Sequence, residues 1–213
     1  MATAVSADQV AKLREKTGAG FMDCKKALQE SGGDFEKAVE ELRKKGLASA
    51  AQRAGRTATE GLVINYIHHS GKVGVMVELN CETDFVAKSQ DFQNLGREVA
   101  LQIAALNPRW IGRNDVPSAV IEKEKEIYRQ QAVASGKPAQ AVEKMAEGKL
   151  AKFYTDFCLM DQPSVRDTSG KTKVSDLVAQ TVAKVGENIV IRRFARYQVG
   201  EEITSTNTNN SKT

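Results

Sequence analysis

Cysteine, proline and tryptophan are all scarce in this chain of 213 residues, which holds three, four and one of them. Cys24, Cys81 and Cys158 are odd in number and widely spaced, so the pattern suggests neither a disulfide framework nor a zinc module. A reducing, cytoplasmic setting is the expectation. No apolar run approaches the roughly 18 residues of a membrane span. The opening residues, Met1 to Ser6, lack the basic start and apolar stretch of a secretory signal. There is no Gly-x-x-x-x-Gly-Lys-Ser/Thr loop, which excludes a P-loop nucleotide site. Charge of one sign is nowhere concentrated: 31 basic residues are interleaved with 27 acidic ones, for a net +4. A nucleic-acid binder usually carries a basic stripe, so nucleic acid is not an expected partner, and a ribosomal RNA-binding role is disfavoured with it.

What remains is an ordinary globular composition, 41 % hydrophobic and 27 % charged, long enough for one domain or two small ones. Residues 1–45 read as a helical module of three short helices. Ser6 and Gln9 have the spacing of a capping box, and Val10 and Leu13 face one way. Thr17-Gly18-Ala19-Gly20 breaks this helix. A second helix over Phe21 to Glu30 puts Phe21, Cys24 and Leu28 on a common face, and Gly32-Gly33 ends it. Asp34 then caps a third helix with Phe35, Ala38, Val39 and Leu42 at helical spacing. Residues 46–59, small and basic, read as a partly helical linker.

Residues 60–200 read as an α+β core. Leu62, Ile64 and Tyr66 alternate along one strand, Ser70-Gly71 turns the chain, and Val73, Val75, Val77 and Leu79 return along a second. A third strand over Asn188 to Gly200 is expected to show Ile189, Ile191, Ala195, Tyr197 and Val199 on one face. Helices are predicted over Asp91 to Leu106, Pro117 to Ala134 and Gln140 to Phe153, the last two forming an antiparallel hairpin around Ser135-Gly136-Lys137-Pro138. Asp161 to Thr172 reads as a mobile loop, followed by a helix marked by Val174, Leu177, Val178, Thr181 and Val182 and closed by Gly186. Residues 201–213 read as a disordered tail, apolar residues being absent from Thr204 onward. The architecture expected is thus a helical module followed by a three-stranded antiparallel sheet with helices and a helical hairpin.

Familiar chemical motifs are mostly decoys here. His68 and His69 are the only histidines, and as neighbours on a strand they would point to opposite faces, which disfavours a shared metal. A hydrolase pairing His68 with Asp84 lacks a nucleophile motif. Gly71-Lys72-Val73-Gly74 matches the Gly-x-x-Gly of an RNA-clamping loop but lies between strands instead of helices. The cysteines sit in apolar positions and read as packing residues.

Glu78-Leu79-Asn80-Cys81-Glu82-Thr83-Asp84-Phe85-Val86-Ala87-Lys88 is different. It follows the second strand directly, and Thr83-Asp84 can start a helical turn. Phe85 and Val86 either staple that turn to the core or, with Asp84, present an acidic and an aromatic side chain to another protein. Read together with Leu13-Arg14-Glu15-Lys16-Thr17-Gly18-Ala19-Gly20-Phe21-Met22-Asp23-Cys24-Lys25-Lys26-Ala27-Leu28, this segment resembles the two signatures of the elongation factor Ts family. The likeness continues through Ser31-Gly32-Gly33-Asp34, Ser135-Gly136-Lys137-Pro138 and Gln162-Pro163 and reaches nearly to Gly200.

The resemblance implies a ubiquitin-associated-like N-terminal module and an α+β core. It implies a guanine-nucleotide exchange factor for elongation factor Tu in translation elongation, not an enzyme, needing no cofactor. Thr83, Asp84, Phe85 and Val86 match the family's magnesium-dislocation segment, with Phe85 as the wedge. Leu13, Arg14, Thr17, Gly18, Gly20, Met22, Asp23 and Lys25 match the N-terminal partner-binding signature. Longer family members carry two related core repeats and this chain has one, which implies a homodimer that supplies the missing half. Thr155-Asp156-Phe157 repeats three letters of the signature without its flanks. An adaptor without effect on nucleotide is the alternative class, and the Glu78 to Lys88 segment is what separates the two.

Overall fold

The computed structural model describes residues 5–202 apart from Lys137. The expected disorder of the tail therefore falls, from Ile203 onward, outside the described residues. The N-terminal module consists of α1 (Ala7–Thr17), α2 (Phe21–Glu30) and α3 (Phe35–Arg53). Ser6 and Gln9 close the capping box reciprocally, with N–H to oxygen distances of 3.2 and 3.1 Å. Gly18, at a φ of +67°, ends α1, and the Asp34 carboxylate caps α3 through the Lys37 amide at 3.1 Å. Val10, Leu13, Cys24, Ala27, Leu28, Ala38 and Leu42 fill the module's core. Phe21 does not join them. It begins α2 and stands 48 % exposed, so the inner face of this helix is carried by Cys24, Ala27 and Leu28 instead.

The third helix outruns its expected end. It continues through the first half of the linker to Arg53 because that stretch has a helix to pack against, α8 (Val174–Val185). Gly46 is buried at the crossing, where an added Cβ would lie 3.8 Å from the Ala179 carbonyl oxygen. Arg43 grips the buried Asp176 bidentately at 3.0 and 2.8 Å, and Arg53 donates to the Gly186 carbonyl at 3.0 Å. Arg43 and Arg53 are matched by Asp176 and Gly186 in the same order, so α3 and α8 run parallel and in step. Asp176 also accepts the Lys173 amide at 2.8 Å, which leaves neither carboxylate oxygen unpaired. An ion pair with one buried partner, as here, fixes geometry more than it adds stability.

The sheet is antiparallel in the order β1 (Glu60–Ile67), β2 (Val73–Cys81), β3 (Val190–Gln198). Val75, Val77, Leu79 and Cys81 of β2 and Leu62, Ile64 and Tyr66 of β1 face inward, as the alternation predicts. The short helix α4 (Asp84–Ala87) follows β2, and α5 (Gln90–Leu106) then covers the sheet with Phe92, Leu95, Val99 and Ile103. Leu106, expected on that face, is exposed at the helix end.

On β3 the expectation fails halfway. Ile189 and Ile191 are buried, but Leu79 pairs with Ile191 while Glu78 pairs with Arg193, so Arg192 is an extra residue. This bulge inverts the alternation: Phe194 and Arg196 turn inward, and Ala195, Tyr197 and Val199 turn outward. The outer face consequently displays Val63, Ile67, Met76, Tyr197 and Val199.

Helices α6 (Ser118–Ala134) and α7 (Ala139–Phe157) form the hairpin, with α7 running one turn past its expected end. A small separate core of Val116, Leu150, Phe153 and Cys158, with Trp110 against it, seats the hairpin on the rest. Phe157, from the second Thr-Asp-Phe, stacks on Phe153 with centroids 5.0 Å apart. Residues 161–172, expected as a mobile loop, are densely tied down. Asp167 accepts from the amides of Ser169 and Thr172 at 2.9 and 2.7 Å, and the buried Gln102 accepts from Val165 at 2.9 Å. Gln102 also donates to Gln162 and to the Pro163 carbonyl, each at 3.1 Å.

Gly61 gives a direct test of this sheet. Its φ is +151°, and a Cβ there would sit 2.2 Å from the Leu79 carbonyl oxygen. Neither strand backbone can yield without breaking ladder bonds. Gly61→Ala should cost about 3 kcal/mol of stability in urea unfolding, and a loss below about 1 kcal/mol would show that the strand end relaxes freely.

Candidate functional site

The chain leaves β2 at Cys81 and turns at once into α4. Thr83 is its N-cap: the hydroxyl accepts from the Val86 amide at 3.4 Å and donates to Glu187 at 2.7 Å. The other oxygen of Glu187 accepts from the amides of Glu82 and Thr83 at 3.1 and 3.0 Å. Glu82 answers across the junction, accepting from the Asn188 amide at 2.6 Å and lying 3.5 Å from the Arg56 guanidinium. Two acidic residues from distant parts of the chain thus hold each other's backbone. Ser89 closes the far side, donating to the Val86 carbonyl at 2.7 Å while it caps α5.

Four candidate residues therefore occupy four different environments. Thr83 is a structural cap. Val86 packs against the main core. Asp84 is exposed and pairs with Lys88 one turn on at 2.6 Å, and this hydrogen bond holds its carboxyl below the usual range. Phe85 has no packing partner to hide it and is 81 % exposed. A phenyl ring left in water forgoes about 2 kcal/mol of burial, and a ring so displayed on a rigid turn fits a protein contact.

The N-terminal candidates divide similarly. Leu13 is fully buried, and Thr17, the last residue of α1, donates its hydroxyl to the Leu13 carbonyl at 2.7 Å, so both shape the module from within. Gly18 supplies the positive φ of the turn and Gly20 the N-cap of α2. Met22, 70 % exposed, stands with Phe21 on the surface, and Arg14 and Lys25 are exposed as well. Asp23 is held by Lys45 of α3. Among the described residues no hydrogen bond or ion pair joins this set to the Phe85 turn. A shallow cleft of about 240 Å³ separates Thr17 and Gly18 from α5 and α8, lined on the far side by Asp91, Asn94 and Lys184. The structure thus presents two surfaces, one apolar pair on α2 and one ring on α4.

The family model described as Elongation factor TS matches residues 5–172, which include both surfaces. Elongation factor Ts of Fervidobacterium nodosum is 58 % identical over 197 residues, covering 92 % of this chain and 99 % of its own. That of Thermoanaerobacter sp. strain X514 is 57 % identical over 204 residues, covering 95 % and 99 %. The chain belongs to the elongation factor Ts family. Elongation factor Ts of Anaeromyxobacter sp. strain K, 58 % identical over 197 residues, is covered to 89 % of its length. Membership gives the chain the role of an elongation factor Ts.

Sequence reasoning reached the turn but missed Glu187, which lies far along the chain in a Gly-Glu-Asn joint with no local signature. It also misplaced the histidines. His68 and His69 sit past the end of β1, and the rings approach to 4.1 Å between centroids. Among the described residues no group of His, Cys, Asp and Glu is arranged to hold a metal ion.

The three cysteines are free and buried, so a bridge to another chain requires opening a core. Burial first, and the Glu187 charge second, push the Cys81 thiol up to about 11. Burial, with Asp161 nearby, does the same to Cys158, also about 11. Raising the pKa of an acid lowers its ionised fraction below that point, so at pH 8 roughly one such thiol in a thousand is thiolate. Ellman's reagent at pH 8 should therefore leave Cys81 and Cys158 unmodified until denaturant is added, and rapid labelling of either in native protein would contradict their packing.

Proposed function

We propose that this chain is a guanine-nucleotide exchange factor for elongation factor Tu, acting in the cytoplasm. It binds the GDP-bound GTPase, displaces the Mg²⁺ beside the nucleotide and promotes GDP release so that GTP can bind. No covalent bond is made or broken, so the protein is not an enzyme. The observation that carries the reading is Phe85, an exposed ring on a turn with both ends pinned. Mg²⁺ bridges phosphate oxygens and offsets their charge, and a side chain that moves it loosens the nucleotide. Factor and nucleotide then oppose each other's binding reciprocally. Met22, Arg14 and Lys25 on the N-terminal module supply the remote contact whose binding free energy offsets distortion at the metal, while Leu13, Thr17, Gly18 and Gly20 hold them in place.

Release of fluorescent GDP from elongation factor Tu tests this. The protein should accelerate release at substoichiometric amounts, and Phe85→Ala should slow stimulated release at least about tenfold, or 1.4 kcal/mol of transition-state stabilisation. Unchanged release with the two proteins still co-eluting would transfer the turn to a docking role and favour an adaptor.

The same reading includes a homodimer. Among the described residues no helix lies over the outer face of the sheet, where Val63, Ile67, Met76, Tyr197 and Val199 are exposed together. The inner face is covered by α5 and α8, so the uncovered face is the one free to meet its own copy in a sandwich of two sheets. Sedimentation should give twice the 23.2 kDa chain mass at micromolar concentration. Met76→Glu should shift the protein to monomer, and a wild-type monomer would remove this element of the proposal.

A further inference from the structure

The Phe85 ring is 81 % exposed and lies outside the main core, so the direction in which its Cα–Cβ bond leaves the chain is set by the backbone of α4. That backbone is only four residues long, too short to persist on its own hydrogen bonds. Its first turn is fixed by a single carboxylate, Glu187, which takes the Glu82 amide, the Thr83 amide and the Thr83 hydroxyl. Because the Thr83 hydroxyl donates to Glu187, its lone pairs are left to the Val86 amide, and the two bonds reinforce each other.

The clamp is itself anchored. Gly186, the preceding residue, gives its carbonyl to Arg53 at 3.0 Å, and the Asn188 side chain donates to the Arg56 carbonyl at 2.8 Å. The joint between α8 and β3 is therefore held by the end of α3, and it holds the turn in its own right. Hydrogen bonds to an ionised acceptor are about twice as strong as neutral ones, and several convergent on one carboxylate leave it a single orientation.

We propose that Glu187 is a positioning residue for nucleotide exchange, fixing through Thr83 the direction in which Phe85 projects. The inference rests on the exchange reading above. It separates two quantities that a purely structural residue would not separate. Docking through the N-terminal module is independent of Glu187, whereas the maximal rate of nucleotide release depends on it.

Full-length protein carrying Glu187→Ala or Glu187→Gln is compared with wild type in GDP release from elongation factor Tu, over a range of factor concentrations and below the melting temperature of each. The maximal rate should fall at least fivefold in Glu187→Ala while the half-saturating concentration moves less than twofold. Glu187→Gln keeps a carbonyl oxygen for the two amides and should recover most of the loss. The double variant Glu187→Ala with Phe85→Ala should be no more than twofold slower than Phe85→Ala alone, because the first residue acts through the second. A full maximal rate in folded Glu187→Ala, a loss confined to half-saturation, or losses that multiply in the double variant would each overturn the inference. Should Glu187→Ala fail to fold, Thr83→Val removes the hydroxyl that joins Glu187 to the Val86 amide and leaves the two backbone bonds in place. Its maximal rate should fall at least threefold, and a wild-type rate there overturns the inference. Wild-type protein that does not accelerate release at all would overturn the exchange reading itself, whereas an active wild type beside a fully active Glu187→Ala would overturn the positioning role alone.

Discussion

The burial of β2 is the constraint on which the larger unit depends. It is the central strand, with its hydrogen bonds taken on both sides and Val75, Val77, Leu79 and Cys81 pressed beneath α5 in a core to which α8 adds Val174, Val178 and Val182. Side chains alternate with a period of two, so this packing admits one register. Once that register is set, the chain must emerge at Cys81 on a fixed side of the sheet, and the turn bearing Phe85 inherits its place. Asn80, also buried, reaches the Ala58 carbonyl at 3.3 Å and ties the entry to β1 beside the same strand end. The turn that carries Phe85 is thus an extension of a buried strand paired on both sides, which is where a projecting side chain loses least precision.

A second constraint joins the two halves of the molecule. The module has its own core, yet α3 belongs to both halves: its first turns are buried with α1 and α2, and its last turns lie along α8. Arg43 and Arg53 engage partners at opposite ends of α8, about 15 Å apart along the axis. Small residues, Gly46 and Ala179, bring the helices close between them. The module is therefore braced by a helix under two-point restraint, in place of a tether, and the surface at Met22 keeps a fixed relation to the core.

How far the amino-acid order alone reached follows from the range of each interaction. Ser6 with Gln9, Asp34 with Lys37 and the alternation of Leu62 to Tyr66 and Val73 to Leu79 are local devices, and each was legible where it stands. Gly186 closed α8 for the same reason, since a left-handed cap is a property of one residue. Non-local partners were not legible. The stretch after Lys45 reads as a partly helical linker, but its packing along α8 depends on a partner far along the chain. Asp167 organised residues that looked free, and Phe21 lost its core place because only the tertiary packing decides which residue of a helix's first turn points in. Of the candidate site, the cap at Thr83 was visible as chemistry, but Glu187 was separated from it by most of the core.

Arg192 carries one more consequence. The residue is exposed and stands outside the ladder, so the count of two along the sequence fails across it while the pairing with β2 stays in phase. The bulge takes up that one residue: Ile191 lies opposite Leu79 and Arg193 opposite Glu78, so deleting Arg192 would leave Phe194 inward and Tyr197 outward on an unbroken ladder. The bulge is thus the one place described in this strand where a residue can be lost without exchanging the two faces, whereas the same loss elsewhere, with the bulge kept, would turn Phe194 outward or Ile191 away from Leu79.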